Sequence, residues 1–292
     1  KDAVSEAQIA FGLWARSNNP RKQRYHQRAK PRFESKWTAA QLELEGQWSK
    51  AEKFHQEHLR TSRILSGYVG QLPKQFEITP KLDLARNLVM QDRLSEAESV
   101  ARSALREILK HDGKSSSVTI HFIGSLVDVL MAQGRFEEAI RLQNANLEIL
   151  GGLKTPPQSL FSARQQFKLG RIFAAAQDWK QAIRMFEAVR SGLGRNSEAF
   201  DRILGNDLAY PLALVMNNRP REAVSLLKDS IDQDAARLGT ENLEVSERRG
   251  VLAMAYDALN SATAAKQLFE SAVPVLINAR QGDLSSSSSK HN

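Results

Sequence analysis

The chain of 292 residues contains no cysteine. That excludes disulfides, thiolate zinc sites and cysteine nucleophiles, while leaving the compartment open. Long apolar runs are missing too. Nothing approaches the roughly 18 consecutive apolar residues a spanning helix needs, so no segment is expected to cross a membrane. Catalytic motifs are absent as well: there is no HExxH, no glycine-rich phosphate loop and no GxSxG, and Gly192-Leu193-Gly194 reads only as a turn. The chain is therefore read as non-enzymatic, with no catalytic residue, cofactor or metal expected. Of the six histidines only His55 and His58 are close in sequence, at i and i+3 on one helix near Glu52 and Glu57. A metal pair and a pair of packing histidines are both open readings; their repeat positions face neighbouring helices, which favours the second. Position 1 is Lys1 and not methionine, so residues upstream are expected to have been removed by processing or by design. A cytoplasmic location is favoured and export stays open.

Acidic residues are scarce at the start. Residues 1–36 hold nine Lys/Arg against three acids, so most of the net charge of +8 belongs to this leader and the remainder is close to neutral. Within it, Ala3, Val4, Ile9, Ala10, Leu13 and Trp14 recur at helical spacing, predicting one amphipathic helix over Asp2 to Ser17 that ends near Pro20. The basic segment Arg21 to Arg32 follows, with Arg21, Lys22, Arg24, Arg28, Lys30 and Arg32 as candidates to contact a nucleic-acid backbone. The plainer reading is a solvated helix or connector, and nucleic acid is not the expected partner.

What the chain does have is a repeated phrase. In Met131 to Ala139, a small residue (Gly134) closes one helix, Phe136 opens the next, and Ala139 lets two backbones approach. The same shape recurs with alanines at 51, 97, 139, 182, 223 and 265, that is, at steps of 46, 42, 43, 41 and 42 residues. A period in this range marks an array of helix pairs. The expected fold is all-α, with repeats near 33–66, 79–111, 117–150, 158–192, 197–238 and 241–281, a leader over 1–32, and a disordered Ser-rich tail over 282–292. Gly67 to Glu77 is expected as a loop. Thr79-Pro80 reads as an N-cap with proline at the first helical position. Gly170 is expected where a neighbouring helix crosses. Pro211 takes the equivalent place one repeat later, in mid-helix, and predicts a kink near Tyr210; Pro274 is expected to end or kink the last helix near Ala279.

The run Leu169-Gly170-x-x-Phe173…Trp179-x-x-Ala182-x-x-x-Phe186 resembles the tetratricopeptide repeat (TPR), whose usual length is about 34 residues. The longer step here is similar to the kinesin light chain variety, and Leu238-Gly239-Thr240-Glu241-Asn242-Leu243-Glu244 resembles its inter-repeat connector. The resemblance implies a right-handed superhelical solenoid of antiparallel helix pairs, about six, that acts as a protein-interaction scaffold, with first helices lining a concave groove for a protein or peptide partner. Counting back from each alanine, the groove-facing positions are Leu82, Arg86 and Val89; His121, Asp128 and Met131; Arg164, Phe167 and Arg171; Leu208 and Leu212; Glu247, Met254 and Asp257. Arg86, Arg164 and Arg171 are candidates to receive an acidic peptide through bidentate contacts, set against local pairing of exposed arginines. The chain lacks the Lys/Asn carboxylate clamp and the Asn-Asn ladder that hold peptides in relatives of this kind. Glu247 to Ala255, with Ala272 to Leu276, is similar to the last repeat before the caspase-like CHAT domain of bacterial proteins. That likeness implies a larger polypeptide whose His/Cys protease dyad is not in this chain.

Overall fold

A computed structural model describes residues 20–69, 72–194, 203–204 and 207–288, with backbone alone for 21–22, 69, 229 and 279–288. The helix expected over Asp2 to Ser17 lies outside the described residues. Among the described residues every regular element is a helix. They fall into two compact units, 1–154 and 155–292.

The first unit comprises α1 (Pro20–Leu44), α2 (Trp48–Val69), α3 (Lys74–Ile78), α4 (Pro80–Met90), α5 (Leu94–Asp112), α6 (Ser117–Ala132) and α7 (Phe136–Gly152). Successive helices pack as antiparallel pairs, and the first helices α4 and α6 also touch each other. The pairing starts in the turns. Gly46, Asp92 and Gly134, each five residues before a repeat alanine, hold left-handed φ values of 70°, 59° and 72°. Each lets the next N–H reach a carbonyl five residues back: Gln47 to Leu42 (2.8 Å), Arg93 to Leu88 (3.0 Å) and Arg135 to Leu130 (2.9 Å). This is the six-to-one bond that satisfies an orphan carbonyl at a helix end. The reversal delivers Ala51, Ala97 and Ala139 to helix crossings, where all three are fully buried. α6 is apolar nearly all round, with Ile120, Phe122, Ile123, Leu126, Val127, Val129 and Leu130 buried, as a helix enclosed by neighbours must be.

Three expectations need correction in this unit. No boundary separates a leader from the first repeat, because α1 runs unbroken from Pro20 through Pro31. Proline at 31 removes only the bond to the Gln27 carbonyl, and both residues are exposed, so water replaces it. The stretch 67–77 is not all loop either: α2 continues to Val69 and α3 forms over 74–78, anchored by the buried Ile78. Thr79 and Pro80 do occupy the N-cap and first position of α4. The Thr79 hydroxyl, however, donates to the Gln75 carbonyl at 2.7 Å and caps nothing.

The second unit comprises α8 (Leu160–Ala175), α9 (Trp179–Leu193), α10 (Ala209–Met216), α11 (Pro220–Leu238), α12 (Leu243–Ala258) and α13 (Ala262–Ser288). Here the first helices α8, α10 and α12 form a layer, with α10 touching both others. Gln177, Asn218 and Asn260 take the left-handed turn position with φ of 60°, 57° and 58°. Ala182 and Ala223 are fully buried and Ala265 nearly so. Side chains of Ser159, Asp178 and Asn242 cap α8, α9 and α12. Gly170 is required by packing: a Cβ there would stand 2.6 Å from the Phe186 ring, which lies 5.4 Å from both Phe167 and Tyr210.

Pro211 does not interrupt a helix. α10 begins at Ala209, so Pro211 lies in its first turn, where the missing N–H has no intrahelical partner to lose, and no kink is needed. Pro274 does not end α13, which carries on to Ser288 through residues expected in the tail. The unbonded carbonyl of Glu270 faces solvent, and serine tolerates helix. Residues 289–292 lie outside the described residues.

Candidate interaction face

All the positions counted from the repeat alanines reach the surface, fully or in part. In the first unit, Arg86, His121 and Asp128 are exposed and Leu82, Val89 and Met131 half-buried. In the second, Arg164, Arg171, Glu247, Met254 and Asp257 are exposed and Phe167, Leu208 and Leu212 half-buried. They lie on first helices whose other faces carry the buried side chains.

The two units use that face differently. In the first, Arg86 is tied to the Glu43 carboxylate of α1 at 3.3 Å. Glu43 also accepts from Asn87 at 3.1 Å and meets His55 Nε2 at 2.7 Å. Burial pushes the Glu43 carboxyl up, but the hydrogen bonds from His55 and Asn87 and the charges of His55 and Arg86 outweigh it, and the net direction is down. Arg86 is thus part of an internal network joining α1, α2 and α4.

In the second unit, Arg164, Phe167 and Arg171 line up on α8. The two guanidinium-bearing positions are seven residues apart, about 10 Å along the axis. Arg171 Nε lies 3.2 Å from an Asp207 carboxylate oxygen. Leu208 and Leu212 pack against the cluster around Leu227, Ile231, Val245 and Leu252. Glu247 and Asp257 bring acids on α12. The exposed cations among these positions of the unit, Arg164 and Arg171, both lie on α8.

The described basic candidates differ in burial and pairing. Arg24 is exposed, Arg28 lies 4.4 Å from the Tyr68 ring centroid, and Lys30 pairs with Glu34 at 3.5 Å. Arg32 is buried: its Nε donates to Ser62 Oγ at 2.9 Å and its guanidinium stacks 3.8 Å over Phe76, with burial pushing its pKa down. The side chains of Arg21 and Lys22 lie outside the described residues.

His55 and His58 are both buried, with His55 committed to Glu43. Neither ring nitrogen of His58 is hydrogen-bonded, and burial, with the nearby charges of Arg32, Lys36 and His55, pushes its pKa down to about 3. It is a neutral packing residue. Among the described residues no group of three or more His, Asp or Glu side chains is placed to hold a metal ion, and no helix is long and apolar enough to cross a membrane.

Sequence reasoning missed a second signature inside the repeat phrase. Arg93, Arg135 and Arg219 each stand four residues before a repeat alanine, with Glu96, Glu138 and Glu222 three residues on: R-x-x-E-A. Each arginine pairs with that glutamate and with one from the preceding repeat, Glu52, Glu98 and Glu187 respectively. The hydrogen bond from Gln133, then those from Arg102 and Arg135, bring Glu98 down to about 2 against the opposing effect of burial. The pattern was readable; that it bridges repeats was not. Arg248 is another case: fully buried, it meets Asp234 of α11 at 3.2 Å and Glu244 at 3.0 Å. Nothing in the local sequence marks it as interior.

No protein-family profile matches the chain. No curated protein matches it either. Solved structures do. A single-substitution variant of the nearly identical TPR-like repeats from a kinesin light chain candidate of Podosopora anserina superposes with a TM-score of 0.55 at 19% identity, covering 72% of this chain and 100% of that one. The unsubstituted form gives 0.53 at 19% identity over 69% and 96%. At this identity the likeness concerns fold, and the fold is that of TPR-like helix-pair repeats.

Proposed function

We propose that this chain is a non-catalytic scaffold that binds a polypeptide partner along its first helices, with α8 of the second unit as the main contact for acidic segments. The observation that carries the reading is the row Arg164, Phe167, Arg171 on one face of α8, with Arg171 reaching Asp207, the residue before half-buried Leu208. Two fork-shaped cations about two helical turns apart suit carboxylates on an extended or helical segment. Half-buried apolar side chains between and beside them suit an aromatic or aliphatic anchor. Arg171 already holds the Asp207 carboxylate, so binding exchanges one carboxylate for another. We further propose that the repeats belong to a larger polypeptide with a caspase-like CHAT domain, on the likeness of residues 247–255 and 272–276; the coding sequence beyond Asn292 tests this by encoding a His/Cys protease domain or not.

The binding test is charge reversal. Arg164→Glu with Arg171→Glu should abolish capture of an acidic peptide that the unmodified chain retains, with helical content unchanged because both side chains are exposed. Equal capture by both proteins would remove α8 from the site.

A further inference from the structure

Asp207 is held in place by contacts that do not involve Arg171. Just ahead of it, Ile203 and Leu204 are buried in the cluster around Phe186 and Tyr210. The Asp207 N–H donates to the Leu204 carbonyl at 3.3 Å, and Leu208 on its other side packs against the cluster around Leu227 and Val245. The carboxylate has two tasks. Its Oδ1 accepts from the N–H of Ala209, the first residue of α10, at 2.7 Å, while its Oδ2 lies 3.2 Å from Arg171 Nε. The Arg171 side chain is 53% exposed and that of Asp207 21%, so the arginine is the looser partner. Arg164 differs, since among the described residues no carboxylate pairs with it.

We infer that Asp207 is an internal competitor for the α8 face, keeping Arg171 closed to any ligand that brings no carboxylate to displace it. The inference rests on the reading of α8 as a contact for acidic segments and sets how that contact is regulated. Arg164 takes a first carboxylate unopposed. A second carboxylate, about 10 Å along the axis, gains Arg171 only by replacing Asp207, which is fixed at the start of α10 and does not follow the arginine. Because Oδ1 keeps its bond to Ala209 whether or not Oδ2 is paired, the exchange leaves α10 capped. The face therefore favours segments carrying two suitably spaced acids over segments carrying one. Asp207 also repels acidic ligands through space, but that repulsion acts on every carboxylate within a screening length of about 8–10 Å. The ion pair acts on Arg171 alone, so removing the arginine separates the two effects.

Asp207→Asn tests this without removing the cap, because the amide oxygen can still accept from Ala209, and Asp207→Ser, which also caps, should behave alike. The probe is a labelled peptide of repeated Glu-Glu-Phe, whose glutamates three apart lie about 10 Å from one another when extended. An exposed ion pair is worth at most about five-fold in an equilibrium. Fluorescence anisotropy should accordingly show either variant binding the peptide about three- to five-fold more tightly than the unmodified chain, with helical content unchanged. In an Arg171→Gln background the same replacements should change affinity far less, since only the through-space repulsion is left to remove. Equal affinity with and without Asp207, or the same tightening with and without Arg171, overturns the inference and leaves α8 as the contact. Binding that survives Arg164→Glu with Arg171→Glu, or binding by no form of the chain, overturns the α8 reading and the inference with it.

Discussion

His58 is buried between α1 and α2 with neither ring nitrogen bonded, and its effect on stability has a definite sign. Its pKa falls from the ordinary 6.5 to about 3, so the folded chain holds it neutral where the unfolded chain would protonate it. Stability from this residue is fully present above pH 6.5 and is lost as pH falls from there toward 3, by at most about 1.4 kcal/mol per pH unit. Arg32, Lys36 and His55 face it, and their charges act in the same direction as burial. Urea unfolding at pH 7 and pH 5 should show a loss that is smaller in His58→Leu. An equal loss in both would assign the acid sensitivity elsewhere. The left-handed turns belong to this scale too. Glycine at 46 and 134 meets the backbone demand freely, asparagine at 218 and 260 tolerates it, and Gln177 takes φ of 60° because the repeat requires it.

Between elements, the clearest constraint is the crossing of α8 and α9 at Gly170. A methyl group there would meet Phe186 at 2.6 and 2.9 Å, and Phe186 is held from both sides by Phe167 and Tyr210. Gly170→Ala should therefore destabilise the chain by about 1–2 kcal/mol despite alanine's better helix propensity. Adding Phe186→Leu should make the glycine replacement nearly neutral in chemical denaturation; full additivity would deny the contact. This crossing was legible in the sequence, as were the six alanines and their turns, because each obeys a local rule repeated at one period. What escaped was decided by tertiary neighbours. Pro211 is harmless because α10 starts two residues before it, a boundary that no residue type announces. Arg32 and Arg248 look like surface arginines until Phe76 and Asp234 are brought over them.

At the level of the chain, each unit stacks helix pairs, joins neighbouring repeats through R-x-x-E-A forks and buried alanines, and leaves its first helices presenting side chains to solvent. The candidate face was legible to the extent that it follows from the repeat register. The partners that neutralise Arg86 and Arg171 were not, since Glu43 and Asp207 lie in other elements. Binding along the first helices is the central claim, and position-specific photo-cross-linking with the bound polypeptide tests it most directly. A photoreactive side chain at Phe167, on α8, should cross-link the partner, whereas one at Arg184, exposed on the second helix α9, should not. Cross-linking from 184 at equal or greater yield, or none from 167, would contradict it.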